Sequence, residues 1–263
     1  MNLEKITDQV VQLCLKNGIY IRQQLELLKA KDIELKDEHN FVTYVDRASE
    51  EMLVDQLSRI LPGCGFIAEE NDYGQTHSEL KWVIDPLDGT TNFVHGIPLF
   101  AISIALMEGD RVILGVVHEV NRSESFYSWK GGNTWLNGKE IKVSDAKTLK
   151  DSLLVTGFPY IRDHILDQYM ELFKAFMQRT QDLRRLGSAA TDLAYVAAGR
   201  FEGFYEISLN PWDVAAGSFL VQQAGGKVNE FDGGDDFIFG KSLISSNGFI
   251  HDEMLEVVNK FYY

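Results

Sequence analysis

The chain has 263 residues, 45% of them hydrophobic and 24% charged, with a formal net charge of −14. That length suits one large domain or two small ones sharing a core, and the charge opposes broad contact with nucleic-acid backbones or docking on an anionic membrane surface. No apolar run approaches the roughly 18 residues of a membrane span, and Cys14 and Cys64 form neither a CxxC pair nor a zinc spacing, so both are expected as small buried hydrophobes in a reducing compartment.

Met1-Asn2-Leu3-Glu4-Lys5 has no basic stretch leading into an apolar one, so no secretory signal is expected and a cytoplasmic location follows. Ile6, Val10, Leu13, Cys14 and Ile21 keep helical spacing, which predicts an amphipathic helix over the first thirty residues. Residues 35–45 are polar and irregular, a loop or hairpin. A second helix is predicted over 46–60, stopped by Leu61-Pro62-Gly63. Short apolar runs at 66–68, 82–84, 101–107 and 111–118 predict strands, the last two joined by a hairpin at Glu108-Gly109-Asp110. Residues 125–129 and a turn at Asn137-Gly138 extend this antiparallel region.

The second half alternates strand and helix. Ile165, Leu166, Tyr169, Leu172, Phe173 and Phe176 mark one helix, and Ser188 can N-cap another that runs to Gly199. Residues 201–207 read as strand, and 212–224 as a helix entered through Asn210-Pro211 and left through Gly225-Gly226. With no repeat or linker in view, the expectation is a single α/β unit over 1–263. Its halves, to about 145 and from about 146, pack together with helices and mixed sheets in layers.

Chemistry concentrates in Trp82-Val83-Ile84-Asp85-Pro86-Leu87-Asp88-Gly89-Thr90-Thr91-Asn92-Phe93. Asp85 directly follows a buried-looking strand, a costly place for an unpaired carboxylate, and Gly89-Thr90-Thr91 offers N–H donors where a helix could begin. Two carboxylates and such donors suit a hard divalent cation and a phosphate. An ordinary Asp-Pro/Asp-Gly turn is the competing reading. Glu69-Glu70 after Phe66-Ile67-Ala68 is equally an acidic loop. Asp213, in Pro211-Trp212-Asp213-Val214-Ala215-Ala216-Gly217, equally serves a helix dipole, and Glu206 equally the polar side of a half-buried strand. An acidic protein that handles phosphate needs local positive charge, which bound metal supplies.

Other patterns fail on chemistry. Gly234 to Ser242 resembles a P-loop, but its first Gly is one residue early and Asp235 would face the phosphate. Ser144-Asp145-Ala146-Lys147 lacks the companions of a Ser-x-x-Lys enzyme. Six scattered His form no zinc pattern, and neither GxSxG nor GxGxxG occurs.

Taken together, Ile84 to Phe93, the Glu69-Glu70 pair and Pro211 to Gly217 resemble the inositol monophosphatase family of Mg²⁺-dependent, lithium-sensitive phosphatases. Arg184-Arg185-Leu186-Gly187-Ser188-Ala189-Ala190 and Tyr205-Glu206-Ile207 match in type and order, so the resemblance covers nearly the whole chain. It implies an αβαβα sandwich, a homodimer, and two to three Mg²⁺ ions per subunit, with Mn²⁺ as a substitute and Li⁺ as an inhibitor. Asp85 would bridge two ions, with Glu69 and the Leu87 carbonyl completing one site and Asp88 and Asp213 the other; a third, weaker ion would lie near Glu69. Thr90 with Glu69 would position and deprotonate the attacking water, and the Gly89 and Thr90 amides would hold phosphate oxygens. Hydrolysis would be direct, with no phosphoenzyme.

The resemblance also implies the substrate. Gly-Thr-Thr-Asn-Phe is the monophosphatase form of the motif, Glu206 matches a carboxylate that accepts from inositol hydroxyls, and Gly187, Ser188 and Ala189 match a segment that contacts the substrate, as do Asp88 and Asp213. Myo-inositol 1-phosphate or a similar small polyol or sugar monophosphate is therefore expected. The alternatives are NADP(H), adenosine 3',5'-bisphosphate or fructose 1,6-bisphosphate as substrate, or a regulatory or scaffold protein that binds metal without turnover. Asn40 stands where the family often has Asp, which weakens the expectation of a third ion and of lithium inhibition; Lys36 roughly matches a loop lysine.

Overall fold

The computed structural model describes residues 1–25, 27, 33–37, 40–74, 78–159 and 164–262, with backbone alone at 33–37, 40–42 and 164. In chain order the elements are α1 (Leu3–Leu25), β1 (Ile33–Asp37), β2 (Asn40–Thr43), α2 (Tyr44–Ile60), β3 (Gly65–Ala68), β4 (Leu80–Asp88), α3 (Thr90–Val94), β5 (Ala101–Glu108), β6 (Arg111–Glu119), β7 (Glu124–Trp129), β8 (Thr134–Leu136), β9 (Lys139–Ile141), β10 (Leu153–Thr156), α4 (His164–Met177), β11 (Asp182–Arg184), α5 (Ala189–Ala197), β12 (Gly203–Ile207), α6 (Pro211–Gln223), β13 (Lys227–Asn229), β14 (Ser242–Ser246) and α7 (His251–Tyr262).

Seven strands form a sheet in the order β3-β4-β5-β6-β7-β8-β9, and five form a second in the order β11-β10-β12-β14-β13. The first is an antiparallel meander except for the parallel β3–β4 pair. Asn137 and Gly138 turn β8 into β9 at φ of 49° and 80°, as a two-residue hairpin with both central residues left-handed requires. In the second sheet β10 runs parallel to β11 and β12, and β14 antiparallel to β12 and β13.

Three apolar interfaces stack these parts. The face of α1 carrying Ile6, Val10, Leu13, Cys14 and Ile21 packs with Leu53 and Leu57 of α2 against Trp82, Ile104 and Val116. Between the sheets lie the alanine-rich α5 and α6 with its Ala215-Ala216-Gly217-Ser218 run, against Val83, Ala105 and Val117 on one side and Val155 and Phe204 on the other. Small side chains let these helices press close to both sheets. Beyond the second sheet, α4 and α7 close the stack with Tyr169, Phe176, Met254 and Val258. The result is the αβαβα sandwich, with α5 and α6 carrying their N-termini to the ends of β4 and β12.

Several expectations shift. The polar segment 35–45 divides into the β1–β2 hairpin and the start of α2, whose first turn is fixed by the Asp46 carboxylate accepting from Thr43 N (2.8 Å) and Thr43 Oγ1 (2.6 Å). The first helix ends at Leu25. Cys14 is buried but Cys64 only partly so. The P-loop lookalike leads from turns into β14, with no helix after it.

Candidate active site

Pro86 determines the shape of β4. Asp85 pairs with Ser103 of β5, and the next paired residue, Asp88, faces Ala101, so β4 holds one extra residue between them. Proline has no N–H for the ladder, and a one-residue bulge re-aims the side chains around it. Leu87 N instead donates to Asp85 Oδ1 at 2.9 Å. The bulge lets Asp85 and Asp88, three apart in sequence, line one cavity. Both aspartates thus belong to the strand itself, where the sequence suggested that they follow it.

That cavity has two adjoining lobes. A smaller one of about 70 Å³ is lined by Glu69, Asp85, Leu87, Asp88, Gly89, Thr90, Thr91, Arg185, Gly187 and Asp213. The other, about 90 Å³, shares Glu69, Asp88, Arg185, Gly187 and Asp213 and adds Gly157, Ser188, Ala189, Asp192, Glu206, Leu209, Asn210 and Trp212. Every site residue expected from the sequence lies on one lobe or both. A larger groove of about 780 Å³ between α1 and α2 contains none of them.

Distant elements hold these side chains. Asp88 Oδ2 accepts from Ser188 Oγ at 2.6 Å and from Ala190 N at 2.8 Å, so the N-terminus of α5 caps onto β4. Asp213 Oδ2 accepts from Asn210 N at 2.7 Å, in the first turn of α6 that Pro211 opens. Gly89 adopts φ 96°, and a Cβ there would stand 3.1 Å from Gly187 O. Only glycine therefore lets the chain turn from β4 into α3 against the Gly187 backbone.

Gathered carboxylates raise one another's proton affinity. Burial first, then the charges of Glu69, Asp88 and Asp213, holds Asp85 well above the usual carboxylate range. Burial likewise raises Asp88 to about 6, against the Ser188 and Ala190 donors. Asp213 is raised by burial and by Asp88, with Lys241 opposing. Among the described residues no three His, Cys, Asp or Glu side chains already stand together as a metal-binding cluster. The smaller lobe offers instead an open set of hard oxygens, four carboxylates and the Leu87 carbonyl, which suits a cation that keeps part of its water shell.

Two acidic residues of α2 complete the arrangement, and the sequence reading gave neither a role at the site. Asp46 Oδ1 accepts from Thr90 Oγ1 at 2.9 Å; the same hydroxyl lies 3.0 Å from Leu87 O. Glu50, fully buried, accepts from Glu70 N (2.8 Å), Asn71 N (2.9 Å), Asn71 Nδ2 (2.9 Å) and Tyr73 Oη (3.2 Å), which fixes the chain just after Glu69. The side chains of Lys36 and Asn40 lie outside the described residues.

Comparison with known proteins supplies the family. A sequence profile of the inositol monophosphatase family matches residues 2–261. The chain is 38% identical over 253 residues to an inositol-1-monophosphatase of Mesorhizobium japonicum, covering 95% of both chains. It is 41% identical over 235 residues to the Nus factor SuhB of Pseudomonas aeruginosa, covering 88% of this chain and 87% of that one. With a fructose-1,6-bisphosphatase/inositol-1-monophosphatase of Thermotoga maritima it shares 40% identity over 221 residues, 84% of this chain and 83% of that one. The crystal structure of the extragenic suppressor protein suhB from Bartonella henselae superposes with a TM-score of 0.91 at 34% identity, covering 97% of this chain and 99% of that one. The layer order, the family profile and a relative matched over nearly the full length lead to one conclusion: the chain belongs to the inositol monophosphatase family.

Proposed function

We propose that the chain is a Mg²⁺-dependent phosphomonoesterase for myo-inositol 1-phosphate or a similar small polyol or sugar monophosphate, acting in the cytoplasm as a homodimer whose subunits work as one unit over 1–263. The observation that carries this reading is the junction of the two lobes: Glu69, Asp88 and Asp213 border both, so a phosphate in the first lobe leaves its alcohol in the second.

Glu69, Asp85, Asp88, Asp213 and the Leu87 carbonyl would hold two ions, with a third near Glu69. When bound, Mg²⁺ offsets phosphate charge and acidifies water; Mn²⁺ is an expected substitute and Li⁺ an expected inhibitor. The chain's own groups do the rest. The Gly89 and Thr90 amides hold phosphate oxygens at the start of α3. Thr90 Oγ1, its proton directed to Asp46 or Leu87 O, presents a lone pair to the attacking water, and Glu69 takes that water's proton. In-line attack forms a new P–O bond from the water oxygen as the ester P–O bond breaks; the leaving alkoxide takes a proton from solvent and departs as the free alcohol, and Glu69 returns its proton to solvent. In the second lobe Glu206 accepts from substrate hydroxyls, and the backbone at Gly187 and Ala189 flanks them. Ser188 assists through Asp88, to which its hydroxyl already donates.

A phosphate-release panel with Mg²⁺, with and without Li⁺, tests this reading. Myo-inositol 1-phosphate should turn over faster than NADP(H), adenosine 3',5'-bisphosphate and fructose 1,6-bisphosphate. Equal or greater turnover on a bisphosphate, the reading favoured by the Thermotoga relative's name, overturns the inositol preference. A regulatory or scaffold role without turnover is favoured by the relatives named Nus factor SuhB; in that case the panel releases no phosphate.

A further inference from the structure

The second lobe contains a carboxylate that the roles above leave unused. Asp192, in the first turn of α5, is 1% exposed. It lines the lobe beside Glu206, and its Oδ1 is buried with no hydrogen-bond partner among the described residues. Two buried acids of α2 beside the site are well supplied by contrast: Asp46 accepts three hydrogen bonds and Glu50 four. Burying a carboxylate oxygen without a donor is unfavourable, and such an atom calls for an explanation. Glu206 is its strongest charged neighbour, and Arg185, which lines both lobes, acts on both acids with the opposite sign. Gly157 makes the pairing possible: a Cβ there would stand 2.0 Å from Glu206 Oε1, so bare backbone leaves the space that the Glu206 carboxylate fills.

We propose that Asp192 is a specificity-determining residue which, with Glu206, forms a paired acceptor for two neighbouring hydroxyls of the substrate's polyol. The inference rests on the phosphomonoesterase reading and narrows its substrate class to esters whose alcohol carries adjacent free hydroxyls. Two acids side by side accept two hydroxyl donors at once. A buried site built to bond a hydroxyl discriminates strongly against an analogue lacking it, because its own polar atom is then left unpaired. An aryl phosphate reaches the phosphate lobe but brings no donor for either acid.

The test compares kcat and KM of the parent with those of Asp192→Asn and Asp192→Ala, in Mg²⁺, on myo-inositol 1-phosphate and p-nitrophenyl phosphate. Thermal midpoints verify that the variants are folded; Asp192→Asn preserves the shape and exchanges one carboxyl oxygen for an amide nitrogen. The ratio of kcat/KM, inositol ester over aryl ester, should fall about tenfold in both variants, with most of the change in KM. An unchanged ratio, with the two esters falling together or not at all, overturns the assignment while the phosphomonoesterase reading stands. Failure of the parent to release phosphate from either ester defeats that reading and the inference together.

Discussion

Asp88 and Ser188, one hundred residues apart, share a 2.6 Å hydrogen bond that joins the bulged strand β4 to the first turn of α5. Through it a carboxylate that lines both lobes and the start of α5, which lines the larger one, are held as one rigid edge. The α5 amide of Ala190 adds a second donor to the same oxygen, so Asp88 is oriented before any ligand arrives.

The same residue gives the cation-free protein a pH signature. Burial raises the Asp88 carboxyl from 3.8 to about 6. Between those values the folded chain retains a proton that the unfolded chain has released, so this group's contribution to stability falls as pH rises through the window. Asp88→Asn lacks the titration. Without divalent cation, the melting temperature of the variant minus that of the parent should rise from about pH 4 to about pH 6 and then level off. A difference that is flat with pH contradicts the assignment, and added Mg²⁺ should narrow it at neutral pH.

Thr90 and Asp46 act as a pair across 44 residues. Thr90→Ala and Asp46→Asn should each lower kcat about a hundredfold, with little change in KM. The double variant should be no slower than the slower single, because groups acting as one unit are not additive. Steady-state kinetics of the four proteins decide this; multiplicative losses separate the two residues.

Glu50 anchors the chain that carries Glu69. Glu50→Ala leaves several donors without a partner and should cost about 3 kcal/mol in urea unfolding. It should also raise the Mg²⁺ concentration for half-maximal phosphate release about tenfold. A stability loss with unchanged Mg²⁺ dependence makes Glu50 purely structural.

Local pattern made the helices legible: Ile6, Val10 and Leu13 keep the 3.6-residue period, and Ser188, Asn210 and Pro211 mark where α5 and α6 begin. The segments around Asp85, Glu69 and Asp213 were legible as acidic ends of apolar runs. What escaped has physical causes. A bulge depends on which strand lies alongside, so the sequence around Pro86 alone could not show that Asp85 and Asp88 share a face. Asp46 and Glu50 occupy ordinary polar positions of an amphipathic helix, and their partners are 44 and 20 or more residues away. The strands β11 and β13 are three-residue edges with no readable alternation, whereas α7 went unassigned although Asp252 and Glu253 at its start and the spacing of Met254, Val257 and Val258 mark a helix. Asp192 reads as one polar residue in an alanine-rich helix; only its orphaned oxygen singles it out.

The central claim, that acids from just after β3, from β4 and from α6 meet around divalent cations, is tested most directly by anomalous diffraction from crystals grown in Mn²⁺. The account predicts peaks in the smaller lobe, with Asp85 within about 2.0–2.2 Å of the metal and Glu69, Asp88 and Asp213 completing the ligands. Full Mn²⁺-dependent phosphate release together with an empty lobe, its carboxylates turned away from one another, would contradict it.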